Sequence, residues 1–218
     1  WRHPERGLVP AQHFIALAEE CGLIVRLGEM ALHLACHQLD VLRRAGFTDL
    51  RMAVNLSPRQ IAEPRFLSRL QEILNDTRVD PGMLDLELSP AILSGPEEPL
   101  QGLLMTLRSL GVHLVLDDFG AGPTSLVGLQ SLPLAAVKID QRFIRDIPYD
   151  PGATDVTSAV IALAQCLRLK VIAEGVETPE QVDFLIAQRC TQAQGNLFCQ
   201  GLDGDALMAF LERHRARA

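Results

Sequence analysis

The run Val112-His113-Leu114-Val115-Leu116 ends on Asp117-Asp118 and is followed by Phe119-Gly120. It is long enough for a strand and too short for a stable helix. Upstream lies Glu97–Leu110, with apolar residues at helical spacing; downstream comes another short aliphatic run, Leu134–Val137. The same alternation extends in both directions. Short runs stand at Arg51–Val54, Met83–Leu86 and Lys170–Ala173. Helical patterns stand at Ala11–Cys21, Glu29–Ala45, Pro64–Asn75, Thr154–Leu167, Pro179–Gln188 and Asp203–Arg215. Strands alternating with helices predict βαβ crossovers, a parallel sheet and an α/β fold. A doubly wound sheet and a barrel both satisfy the pattern. A dinucleotide-binding sheet needs a glycine-rich turn after its first strand. The chain has neither G-x-G-x-x-G nor a P-loop.

The 218 residues are 48% hydrophobic, enough for one well-filled core, and no Gly/Ser or Pro-rich linker divides them. A single domain over residues 1–218 is therefore the expectation. Twenty Lys and Arg oppose twenty-seven Asp and Glu, a net charge of −7, with the basic residues scattered among acids. That distribution argues against a duplex nucleic-acid partner, which calls for clustered cations. A phosphate ester can still bind an acidic protein if metal ions reverse the local charge. Five cysteines, an odd number without a C-x-x-C pair, point to free thiols and a cytoplasmic setting. No apolar run reaches the length of a membrane span. The chain opens on Trp1 rather than Met; the expectation is a fragment of a longer multidomain signalling protein.

Each apolar run leads into a residue that can bind a cation or a phosphate: Asn55, Glu87, Asp117 and Asp118, Lys138 with Asp140, and Glu174 with Glu177. In a parallel barrel the carboxyl ends of all strands share one rim, where active sites are built. Oxygen ligands without His or Cys suit a hard cation such as Mg2+ or Mn2+. Adjacent carboxylates can bridge two ions, and two-metal sites cleave phosphodiesters. Lys138 would add a fixed positive charge. A single acid at a strand end is more often a helix cap than a ligand; five runs ending alike carry the argument. Strand-end carboxylates, magnesium and a lysine base are also the equipment of enolase-like barrels, so the pattern alone leaves that chemistry open.

The motifs at these positions resemble those of the EAL domain family, the bacterial cyclic di-GMP phosphodiesterases. Pro4-Glu5-Arg6-Gly7 with Pro10, Phe14-Ile15 and Ala18-Glu19 look like its N-terminal block. Val54-Asn55-Leu56-Ser57 matches V-N-L-S, and Asp117-Asp118-Phe119-Gly120 matches D-D-F-G. Lys138-Ile139-Asp140 matches K-I-D, and Ala173-Glu174-Gly175-Val176-Glu177-Thr178 matches A-E-G-V-E-T. Gln194-Gly195 matches a late Q-G. The resemblance implies a TIM-like (β/α)8 barrel with one strand of irregular orientation. It implies hydrolysis of cyclic di-GMP to linear pGpG with Mg2+ or Mn2+, two ions. By resemblance Asn55, Glu87, Asp117, Asp118 and Glu174 bind metal, and Lys138, Glu174 and Asp118 are catalytic. Lys138 would contact the attacking water. Pro10, Asp140, Glu177 and Gln194 would line the substrate or support the ligands. A homodimer and fused regulatory or GGDEF-type domains are implied partners.

This sequence departs from the family pattern in three places. The signature E-A-L is absent; in the family it lies just before an Arg-Trp pair, and Trp1 looks like that Trp. The first strand, with one metal ligand, is therefore expected upstream. The family's E-L-T-E-S block reads Glu87-Leu88-Ser89-Pro90-Ala91, so its second acid, which steadies the loop after D-D-F-G, is Pro90. That loop carries Pro123, where φ is fixed and a donor is lost. These changes motivate an alternative, a catalytically impaired cyclic di-GMP receptor. His33 and His37 stand at i and i+4, a zinc spacing, without the Glu of a metalloprotease helix; a structural or surface role is expected for both.

Overall fold

The computed structural model describes residues 1–94, 97–120 and 126–215; Pro123 and its neighbours in the loop after Gly120 lie outside them. A short antiparallel hairpin, β1 (Arg2–His3) with β2 (Gly7–Leu8), opens the chain. A 3-10 turn at Ala11–His13 leads into α1 (Ile15–Glu20). One continuous helix was expected over Ala11–Cys21. It is broken because Phe14, at φ −134°, is not helical.

Six strands then form one sheet in sequence order: β3 (Met52–Leu56), β4 (Leu84–Leu88), β5 (His113–Phe119), β6 (Ala136–Ile139), β7 (Lys170–Ala173) and β8 (Gln192–Ala193). All five neighbouring pairs are parallel. The implied strand of irregular orientation is not among these six. Helix α2 (Ile24–Arg44) precedes β3, and the crossovers run through α3 (Pro58–Ile61), α4 (Phe66–Thr77), α5 (Glu97–Leu110), α6 (Leu126–Ser131), α7 (Gln141–Ile144), α8 (Pro151–Cys166) and α9 (Pro179–Ala187); α10 (Gly204–Arg215) follows β8. The sheet curls into a half-barrel with helices on its convex side, a partial TIM-like (β/α) fold.

Helix α2 begins five residues before the expected Glu29, running straight through Gly28. A mid-helix glycine normally weakens a helix. Here the missing Cβ makes room for Gln60, whose amide would lie 1.7 Å from it. Gln60 is held by a capping box with Ser57 at the start of α3, a helix too short to show as a pattern.

Residues paired in register lie on the same face of a sheet, and neighbours along a strand on opposite faces. On the convex face, Val54 pairs with Leu86 and Leu86 with Leu114; Leu56, Leu88, Leu116, Val137 and Val171 form the next row. All are buried. They pack under α2, α4 and α5 at one end of the sheet and under α7, α8 and α9 at the other, in two adjoining cores. Each fully buried aliphatic side chain contributes about 1.5–3 kcal/mol relative to exposure. The concave face carries the polar alternates: Asn55 beside Glu87, then Lys138 beside Ile172. One periodicity thus fills the core and aims the chemistry at the opposite side.

Candidate metal-dependent active site

Asn55, Glu87 and Lys138 are each the penultimate residue of their strand, and Glu174 is the first residue after β7. Asp117 and Asp118 pose a local problem, since adjacent strand residues should point to opposite faces. The register between β5 and β6 shifts between Leu116 and Phe119, a bulge-type irregularity. Asp118 within it has φ +48°, a left-handed conformation that only Asn and Asp tolerate readily among non-glycine residues. The Asp117 side chain accepts a hydrogen bond from the Asp118 backbone N–H at 3.0 Å. The irregularity turns both carboxylates to one side, a use to which bulges near active sites are commonly put. Oxygens of Asp117, Asp118 and Glu174 come within 4.8 Å of one another.

Lys138 sits at the centre of this arrangement, 4% exposed. Its Nζ lies 2.9 Å from Glu87 Oε2, 3.2 Å from Asp117 Oδ1 and 2.5 Å from Glu174 Oε1. Burial works against the ammonium, but the hydrogen bonds to Glu174 and Glu87 and the charges of Glu87 and Asp117 outweigh it and hold Lys138 above its ordinary value. Burial pushes the Glu87 and Glu174 carboxyls up, partly opposed by Lys138. Burial also raises Asp118, reinforced by Asp117 and Asp140. Gln194 steadies the far side by donating from Nε2 to Glu174 Oε1 at 2.6 Å.

Three carboxylates thus contact the Lys138 ammonium, and Asp118 adds a fourth to the cluster. The excess negative charge, the all-oxygen donors and the separation within 4.8 Å fit a hard divalent cation such as Mg2+ or Mn2+. Asn55, exposed and paired in register with Glu87, can add a neutral oxygen to that set.

The remaining sequence-derived candidates fall elsewhere or act differently. Asp140 is 5% exposed and caps α7: its Oδ1 accepts from the Arg142 N–H at 2.8 Å, while Oδ2 accepts from Arg142 Nε at 3.0 Å and Nη2 at 2.7 Å. The helix-cap reading is right for this residue. Arg142 holds the Asp140 carboxyl below the usual carboxylate range. Glu177 is exposed and lines a recess with Gln141, Arg142, Arg145 and Gly175. Pro10 is exposed and precedes the 3-10 turn at Ala11. Pro90 opens a 3-10 turn, Pro90–Ser94, directly after β4. His33 and His37 are exposed on α2. Sequence reasoning missed Arg142, although an Asp followed two residues later by Arg at a helix start is a readable signal for a capped, paired carboxylate.

Comparison with known proteins supports the same reading. The EAL domain family model matches residues 1–201. The cyclic di-GMP phosphodiesterase NbdA of Pseudomonas aeruginosa is 41% identical over 215 residues, covering 99% of this chain and 28% of that protein. The solved structure of the MucR phosphodiesterase in complex with c-di-GMP superposes with a TM-score of 0.90 at 36% identity, covering 95% of this chain and 84% of that one. A manganese/cy-diGMP complex of Klebsiella pneumoniae BlrP1 matches with a TM-score of 0.76 at 26% identity, over 89% of this chain and 48% of that one. The chain spans about a quarter to a third of the length of the curated relatives it matches.

Proposed function

Because the chain belongs to the EAL domain family, we propose that it hydrolyses cyclic di-GMP to linear pGpG with bound Mg2+ or Mn2+, two ions. The observation that carries this reading is the buried Lys138 ringed by Glu87, Asp117 and Glu174, with Asp118 turned into the same cluster. Asn55, Glu87, Asp117, Asp118 and Glu174 would hold the metal. Held by these residues, divalent metal would supply Lewis-acid activation of a water and of the phosphodiester. The protein's own groups do the rest. Lys138, fixed by two glutamates and an aspartate, keeps its charge and orients the attacking water. Glu174, with a carboxyl raised by burial, is the group best suited to hold the proton that this water gives up. Gln194 fixes the rotamer of Glu174. Glu177 would border the substrate, and Asp140 would support it through Arg142.

A receptor that binds without turnover is the second reading. It is favoured by Pro90, which replaces an acid with a residue that has neither a side-chain acceptor nor an N–H. The first reading keeps the larger support, because the ligand positions Asn55, Glu87, Asp117, Asp118 and Glu174 retain their oxygens. MucR is named a bifunctional diguanylate cyclase and phosphodiesterase; a fused GGDEF-type or other regulatory domain, a homodimer and a cytoplasmic location are part of this proposal. Among the described residues, no helix is long and apolar enough to cross a membrane.

The test incubates the chain, with whatever sequence its gene places ahead of Trp1, with cyclic di-GMP and Mg2+ or Mn2+. Formation of pGpG, its loss on chelation and its loss in Glu174→Ala are the expected results. Tight binding without product would favour the receptor. Failure to bind any guanine dinucleotide would overturn both readings.

A further inference from the structure

The short helix α7 occupies an unusual place between the two loops that carry the acids. Gly120, at φ +92°, directly follows β5, and a Cβ there would lie 2.8 Å from the Phe143 ring. Gly175, at φ +72°, directly follows Glu174, and a Cβ there would lie 2.7 Å from Gln141 Cβ. Both glycines are needed twice over, for the left-handed turn and for the close approach. Gln141 and Phe143 are thereby wedged against the backbones that position Asp118 and Glu174, and Arg142 lies between them.

Arg142 is held from a second direction by Asp140, through Nε and Nη2. Among the described residues that pair engages two of the five guanidinium N–H groups, leaving three to offer a ligand. Its side chain is 63% exposed and borders a recess of about 210 Å³ whose other walls are Gln141, Arg145, Gly175 and Glu177. Arg142 is also close enough for its charge to act on Asp118. The other cation at the centre, Lys138, is buried among three carboxylates and does not border this recess. Arg145 is tied to Asp146 at 3.2 Å.

A cyclic dinucleotide carries two phosphodiesters, and only one is attacked at a time. The other needs a cation beside a strongly acidic cluster. Resting on the function proposed above, we propose that Arg142 clamps the phosphodiester that is not being cleaved. Asp140 serves as its anchor, and the fork of N–H groups reaches two phosphate oxygens in the geometry that favours arginine over lysine.

Steady-state kinetics on two substrates test this. One is cyclic di-GMP; the other is bis(p-nitrophenyl) phosphate, which has a single phosphodiester. The variants are Arg142→Gln, which retains an N–H donor for Asp140 without the charged fork, and Arg142→Lys. For cyclic di-GMP, KM is expected to rise about 10-fold or more in Arg142→Gln, as for loss of a charge-assisted hydrogen bond, with kcat much less affected. Arg142→Lys is expected to recover only part of the loss. The loss on bis(p-nitrophenyl) phosphate should be smaller by about the same factor. Equal losses on both substrates, or an unchanged KM for cyclic di-GMP, overturn the proposal. If the wild type binds without turnover, Kd from calorimetry replaces KM with the same criterion. If the wild type neither binds nor cleaves cyclic di-GMP, the functional reading falls and this inference falls with it.

Discussion

The two ends of the sheet handle charge in opposite ways. At the amino ends of the strands, Arg51 grips Asp85 through Nε at 2.9 Å and through Nη2, and His113 Nδ1 lies 3.7 Å from the same carboxylate. Burial and then the nearby Arg51 lower the His113 value, which keeps the ring neutral at pH 7. That end is balanced. At the carboxyl ends, Glu87, Asp117 and Glu174 share Lys138, with Asp118 crowded beside Asp117 and Glu174. Crowding like charges costs stability, so the surplus is retained for something other than folding. In barrel-type folds, polar residues at the amino ends serve stability and those at the carboxyl ends serve catalysis; the two charge patterns here are a physical form of that division.

Removing Lys138 from the crowded end gives the largest expected effect. Lys138→Met leaves three carboxylates facing one another, and loss of one partner of a buried ion pair costs about 3–5 kcal/mol. Urea unfolding with a chelator present measures it, and added Mn2+ should restore much of the loss. A variant as stable as the wild type under chelation would show that the cluster is not electrostatically strained. Next comes Glu174→Gln, which retains shape and removes charge. A fall of about 10²–10³ in kcat is expected, the size of a lost electrostatic contribution at a reacting centre. A residual rate above a tenth of the wild type would contradict the assignment.

A third test uses pH. The Glu87, Glu174 and Asp118 carboxyls are raised in the folded chain, chiefly by burial. The folded state therefore holds their protons more tightly than the unfolded state does. Their contribution to stability is complete below the ordinary carboxylate range, about pH 4, and is lost as pH rises through the raised values. Asp140, lowered by Arg142, behaves oppositely: its contribution is present above that range and is lost as pH falls through its depressed value. Metal needs ionised ligands. Saturating Mg2+ or Mn2+ at 100 times Kd should stabilise the fold by about 2.7 kcal/mol at pH 8, and by progressively less toward pH 5. A metal-induced shift in Tm that does not change with pH would break the link between these carboxyls and the ion. The smallest effect belongs to the balanced end. Asp85→Asn should cost about 1 kcal/mol, as for a partly exposed pair, and leave kcat near that of the wild type. A large loss of kcat there would erase the contrast.

The sequence pattern identified the central strands because they are buried on the convex side by aliphatic residues at every second position, as in Leu84-Asp85-Leu86-Glu87-Leu88. It missed β8, whose Gln192–Ala193 is exposed and joins the sheet through only two register pairs, Ile172 with Gln192 and Ala173 with Ala193. It placed the acids at strand ends, and they lie there within one or two residues, since polar side chains at alternate positions interrupt an apolar run. Two features that complete the site have no periodic signature. One is the register shift with left-handed Asp118, a local backbone event. The other is the placement of Arg142 at the start of α7, where Gly120 and Gly175, 55 residues apart in sequence, close around Phe143 and Gln141.

The central claim is that the crowded acidic end holds divalent metal and uses it on a phosphodiester. Product analysis of cyclic di-GMP incubated with Mn2+, before and after chelation, for the wild type and Asp117→Asn tests it most directly. The expected result is pGpG from the wild type with metal, none after chelation, and at most traces from the variant. Hydrolysis that survives both chelation and Asp117→Asn would contradict the claim.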